Sequence, residues 1–153
     1  MINKIKKIAS WTAVLLWMLL IFRLSSQVAT ESNDLSLGIA GLFHKLLSGF
    51  ISINESAVNH IVRKGAHFTA YMFLGFLTSN ALSTGGVTRW KKVIISLLIC
   101  VLYAVSDEIH QLYVPGRSGQ PSDVLIDSLG AGTGIGIYIL VGSLFKWNKI
   151  KKS

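Results

Sequence analysis

Four carboxylates lie beside long apolar runs in this chain, and their types and spacing admit several chemistries. Asp107 and Glu108 are adjacent, and Asp123 and Asp127 are one helical turn apart. The chain has only seven acidic residues, so more than half of them gather in this stretch. Gln111 falls i+4 from Asp107 and i+3 from Glu108, His110 falls i+3 from Asp107, and Arg117 follows a Pro115-Gly116 turn. A second group, Arg63, Lys64, His67 and Tyr71, falls at i, i+1, i+4 and i+8, which is one face of a helix. Carboxylates beside a histidine can pass protons as general acid and base, with His67, Asp107 and Glu108 the candidates. Arginine and lysine can instead grip phosphate or carboxylate oxygens. No Gly-x-Ser-x-Gly elbow and no His-Glu-x-x-His zinc helix occurs. His67, Glu108 and Asp127 are metal-ligand types, but their separation along the chain defines no site. The sequence therefore assigns no metal and no cofactor.

The elements that must position these groups are apolar helices. Of 153 residues, 51% are apolar and 14% charged, where a soluble domain has about a quarter charged. The formal charge is +8, but the basic residues flank apolar spans, a pattern of membrane topology and not of nucleic-acid binding. The single Cys100 excludes an intramolecular disulfide and sits in an apolar run as a small hydrophobe. Lys4, Lys6 and Lys7 before an apolar stretch resemble a signal peptide; no small-residue cleavage site follows, so the segment reads as retained.

The expected fold is all-α and polytopic, a single domain over 1–153 with four transmembrane helices at 8–24, 66–82, 93–113 and 123–145. Between the first two, Leu35, Ile39, Leu42, Phe43, Leu46, Leu47 and Phe50 recur at helical spacing, with His44 among the polar residues, which suggests an interfacial amphipathic helix. Ser52 and Glu55 have capping-box spacing, so a helix is expected to begin near Asn54 and run into the second span. Ser122 is the expected N-cap of the fourth span. Gly130, Gly132, Gly134 and Gly136 form two overlapping small-xxx-small pairs. Their preferred use is close helix approach within the chain, with homo-oligomerisation the alternative.

Four spans put both termini on one side. With the termini inside, ten of the fifteen basic residues are inside and all seven acidic residues lie on the outer side or in the outer leaflet. The positive-inside rule thus predicts cytoplasmic termini. At 1.5 Å per residue, Asp107 lies roughly 20 Å from the inner start of its span, and Asp127 about 6 Å below the outer start of its own. His67 reaches a similar depth from a third helix. Each buried charge costs roughly 2.5–3.5 kcal/mol at a span centre, so the groups should converge. The predicted cluster is Arg63, Lys64, His67, Tyr71, Asp107, Glu108, Gln111, Arg117, Asp123 and Asp127, with three fixed cations pairing four carboxylates.

These residues resemble the VanZ-like family of small bacterial membrane proteins. The matching pieces are Ser25-Ser26-Gln27, Arg63-Lys64-Gly65-Ala66-His67-Phe68 with Tyr71, Ser106-Asp107-Glu108-Ile109-His110-Gln111, Pro115-Gly116-Arg117, and Asp123 with Asp127 and Gly130. One position departs: the family often has an acidic residue just before the tyrosine, where this chain has Ala70. The resemblance implies a bacterial cytoplasmic membrane protein associated with teicoplanin resistance, and it supplies no reaction. The expected role is binding or modulation of an amphipathic envelope molecule, such as a lipid-linked wall precursor or a lipoglycopeptide, at an outward-facing polar site. An intramembrane enzyme acting on an envelope lipid and a purely structural charge network are the alternatives. Besides the lipid bilayer and such a molecule, no nucleic-acid partner is expected, and a homo-oligomer through Gly130, Gly132, Gly134 and Gly136 is the less preferred alternative.

Overall fold

The computed structural model describes residues 2–28 and 55–151. The expected interfacial helix and His44, and the Ser52 and Asn54 part of the proposed helix start, lie outside the described residues. Among the described residues the secondary structure is entirely helical: α1 (Ile2–Ser25), α2 (Glu55–Thr84), α3 (Arg89–Gln111) and α4 (Pro121–Lys151). Three of these, Asn3–Ser25, Arg89–Gln111 and Pro121–Leu144, are long and apolar enough to cross a membrane. α2 is not among them, because Thr78, Ser79, Asn80 and His67 interrupt its apolar run.

The apolar side chains are turned outward on those three helices. Leu15, Leu16 and Leu19 on α1, Ile94, Leu98 and Leu102 on α3, and Leu125, Leu129 and Leu140 on α4 are all exposed. The interior holds Tyr71, Leu74, Cys100, Ala104 and Ala131 together with buried Thr78, Ser79, Ser96, Gln111 and Asp127. A surface more apolar than the core is what a lipid solvent selects.

Contacts at the helix ends set the topology. Asn80 near the end of α2 donates to Ser10 near the start of α1 (3.3 Å), and Ser26 just after α1 meets His110 near the end of α3 (3.1 Å). α1 and α3 therefore run in one direction and α2 and α4 in the other, with the short turns 85–88 and 112–120 joining neighbours. α2 packs against all three other helices, most extensively against α4. Glycine makes that contact: a Cβ at Gly130 would overlap the Phe68 carbonyl oxygen, and one at Gly134 the Met72 carbonyl oxygen. From the other side, a Cβ at Gly75 would overlap the Ala131 carbonyl oxygen. The helix spacing here is a backbone-to-backbone approach of the small-residue kind. Gly132 and Gly136 face open space.

Two boundaries differ from expectation. α4 starts at Pro121, so Ser122 is its second residue and not its N-cap. Proline suits the first helical position, where the missing N–H would be unpaired anyway. α3 ends at Gln111, and Leu112 and Tyr113 belong to the following turns, with Tyr113 N–H donating to the His110 carbonyl (2.9 Å).

Candidate functional site

The polar groups converge where α2, α3 and α4 meet, near the end of α1. Two features of the 112–120 turn bring them there. Gly116 has φ +75° after Pro115, and Arg117 N–H donates to the Val114 carbonyl (3.1 Å), a type II turn that requires glycine third. Gly119 then lies against the end of α3, where a Cβ would come 2.6 Å from the Glu108 carbonyl oxygen. That approach lets the Gln120 backbone N–H donate to Glu108 Oε2 (2.8 Å).

Asp107, Glu108 and Gln111 occupy the inward face of α3 and all are buried. Gln111 Nε2 donates to Glu108 Oε1 (3.2 Å) and more distantly to Asp107 Oδ2 (3.4 Å), so one amide bridges two carboxylates. On α2, Lys64 Nζ donates to Asp123 Oδ1 (2.8 Å), forming an ion pair that is partly exposed on the lysine side. One turn further in, His67 Nδ1 lies 3.4 Å from Asp127 Oδ1. Asp127 is fully buried, yet neither of its oxygens has a hydrogen-bond partner. Asp107 Oδ1 and the hydroxyl of fully buried Tyr71 are also unpartnered. Ser25 Oγ, beside Asp107, is a fifth such atom; buried polar atoms are nearly always paired, so these are an open set of valences.

The expected pairing of three fixed cations with four carboxylates is therefore corrected: of the three, Lys64 alone makes an ion pair among the described residues. Arg117 turns away toward α1, where its Nε donates to the Gln27 carbonyl (3.2 Å) and its Nη2 to the Leu24 carbonyl (3.4 Å). Burial lowers the Arg117 pKa from its ordinary value, and the nearby Arg63 pushes it the same way. His110 also lies apart, its Nε2 against Ser26 and its ring against Phe22 at a centroid distance of 4.6 Å.

Sequence reasoning passed over several participants. Ser25, Ser26 and Gln27 follow the first expected span, and each meets the 107–117 segment. The Ser25 hydroxyl is beside Asp107, Ser26 meets His110, and Gln27 receives Arg117. The motif resemblance was the one signal pointing at them. The Gln120 contact runs through a backbone N–H, which leaves no mark on side-chain identity.

Apolar helices with their carboxylates gathered inside define a helical, membrane-embedded protein built around a buried polar centre. The VanZ/LLP1 family model matches residues 10–142. The chain belongs to that family, and the matched region takes in every residue of the polar centre. No curated protein and no solved structure matches the chain significantly.

Proposed function

We propose that this protein binds the anionic head group of an amphipathic envelope molecule at the outer face of the bacterial cytoplasmic membrane. In this reading all four helices cross the bilayer. α2, at 30 residues, is about 45 Å long, enough to span a ~30 Å core and project beyond it. Its polar residues Thr78, Ser79 and Asn80 face the bundle interior instead of lipid. The ends carrying Lys7, Arg89, Lys91 and Lys92 are cytoplasmic by charge, which puts both termini there and the carboxylate cluster in the outer leaflet.

The observation that carries the reading is the pair Arg63 and Arg117. The charge of Arg63 reaches Arg117, and neither makes an ion pair with a carboxylate among the described residues. Two guanidinium groups on the same side of the cluster can grip one anion, because a phosphate or carboxylate accepts their planar donors in parallel. A lipid-linked wall precursor or a lipoglycopeptide such as teicoplanin has the required anionic head and apolar tail.

Arg63→Ala is the cleaner test, because Arg117 also ties backbone together. Full-length protein in nanodiscs is titrated with a polyprenyl diphosphate, the uncharged polyprenyl alcohol, and teicoplanin. Binding of the diphosphate or teicoplanin, absent for the alcohol and weakened at least tenfold in Arg63→Ala, is expected. Equal affinity for the alcohol, or an unaffected Arg63→Ala variant, would sink the proposal.

A further inference from the structure

We infer that His67, Glu108 and Asp127 form a binding site for a divalent first-row transition-metal ion, held between α2, α3 and α4. One ring nitrogen of His67 and one carboxylate oxygen from each of Glu108 and Asp127 all lie within 4.8 Å of one another. The centre of an equilateral triangle with 4.8 Å edges is about 2.8 Å from each corner, only about 0.6–0.8 Å beyond Zn–N and Zn–O bond lengths. Side-chain rotation closes such a gap without moving a helix.

A second observation points to an occupant. The fully buried Asp127 has two oxygens without a hydrogen bond, and His67 Nδ1 faces one of them at 3.4 Å. A buried carboxylate in that condition is costly unless something positive sits beside it. His67, the charge partner of Asp127 when protonated, stays at 3.4 Å from it, and Lys64 is committed to Asp123. Arg117 is directed at the Leu24 and Gln27 carbonyls and makes no ion pair with Asp127. A dication offsets both Asp127 and Glu108, while His67 supplies a neutral nitrogen. One imidazole with two carboxylates is a donor set for Zn2+ or Mn2+, harder than a thiolate site and too nitrogen-rich for a typical calcium site.

The surroundings support the first ligands. Glu108 is oriented by Gln111 Nε2 and by Gln120 N–H, one on each oxygen. Such outer contacts fix a ligating carboxylate. The close crossing at Gly130 is one residue from His67 on α2, through Phe68, and three from Asp127 on α4, so their separation is set by rigid backbone. Three protein ligands also leave positions open on the ion. Asp107 Oδ1 and the Tyr71 hydroxyl are likewise buried and unpartnered. The ion would take an oxygen ligand at its open positions, such as water or an anionic head group.

The test uses full-length protein in detergent, stripped with chelator and then dialysed against micromolar Zn2+ or Mn2+. Elemental analysis should find about one ion per chain, with affinity falling at least tenfold on loss of a ligand in Asp127→Asn or His67→Gln. His60→Gln, an exposed histidine on the same helix, should retain the ion. Mn2+-loaded wild-type protein should show coupling to a single imidazole nitrogen by pulsed electron paramagnetic resonance, a readout that stands even where a variant fails to fold. No retained ion, equal retention in Asp127→Asn, or no nitrogen coupling would overturn the site. Metal content is read without any lipid, so this result and the head-group titration fail independently.

Discussion

The crossing of α2 and α4 makes a quantitative prediction. In Gly130→Ala the added methyl would lie 3.0 Å from the Phe68 carbonyl carbon and overlap its oxygen. In Gly134→Ala it would lie 2.8 Å from the Met72 carbonyl carbon and 3.0 Å from the Phe76 nitrogen, where ordinary contact begins at 3.4 Å. Every obstacle is backbone, so no rotamer change relieves the clash and the helices must part by on the order of 1 Å. Overpacking of this kind costs about 1–3 kcal/mol, against which alanine returns up to ~1 kcal/mol of helix propensity. A net loss of up to about 2 kcal/mol remains where the full propensity gain is realised, which for a chain of this size lowers Tm by up to about 8 °C. Gly132→Ala and Gly136→Ala supply the control. Neither methyl would meet an atom within 4 Å, so the propensity gain stands alone and Tm should hold or rise. Thermal unfolding of the four purified variants in one detergent decides it. If Gly130→Ala and Gly134→Ala melt with or above Gly132→Ala, the helices do not approach as described.

Two further perturbations bear on the ends of the cluster. Lys64→Ala strands the buried Asp123 and should cost about 1–3 kcal/mol; adding Asp123→Asn should recover part of that. A double-mutant cycle coupling of about 1–2 kcal/mol is expected, and one below about 0.3 kcal/mol would show the pair to be incidental. Arg117→Ala should speed amide hydrogen exchange in 112–120 and just after α1 by roughly tenfold, corresponding to about 1.4 kcal/mol of lost local stability. Arg117→Lys should not rescue it, because one ammonium cannot reproduce the guanidinium's two directed bonds to Leu24 and Gln27. Rescue by lysine would mean that charge alone holds the turn.

Much of this arrangement was legible in the chain because lipid constrains it strongly. The helical face shared by Lys64, His67 and Tyr71, the inward face of Asp107, Glu108 and Gln111, and the Pro115-Gly116 turn all follow from local spacing. So does the close approach at Gly130 and Gly134, since small residues four apart mark where backbones can touch. What spacing could not convey was the choice among partners. Arg117 has carboxylates near it in sequence, but the Pro115-Gly116 turn aims it at the Leu24 and Gln27 carbonyls at and just after the end of α1. Those carbonyls are acceptors that every helix C-terminus offers, and no residue type advertises which cation will take them. The start of α4 was misplaced for a related reason. Ser122 is a good capping residue by type, but Pro121 before it fits the first helical turn and sets the boundary.

α2 shows why hydropathy taken one helix at a time undercounts such a bundle. It falls below the apolar level of the other three helices, yet it is the helix they all touch. Its polar groups have partners inside the protein: Thr78 donates to the Leu74 carbonyl (2.9 Å), Ser79 to Ser96 on α3 (3.2 Å), and Asn80 to Ser10 on α1 (3.3 Å). Lys92 on α3 in turn donates to Ser83 (2.6 Å). A hydroxyl or amide bonded to a neighbouring helix no longer carries the full cost of facing hydrocarbon. Under the four-span proposal, α2 is thus stable in the bilayer chiefly in the company of α1, α3 and α4. Its modest hydropathy and its central position have the same cause: the side chains that would make it a poor span alone, His67 among them, are those that reach the other helices and build the polar centre.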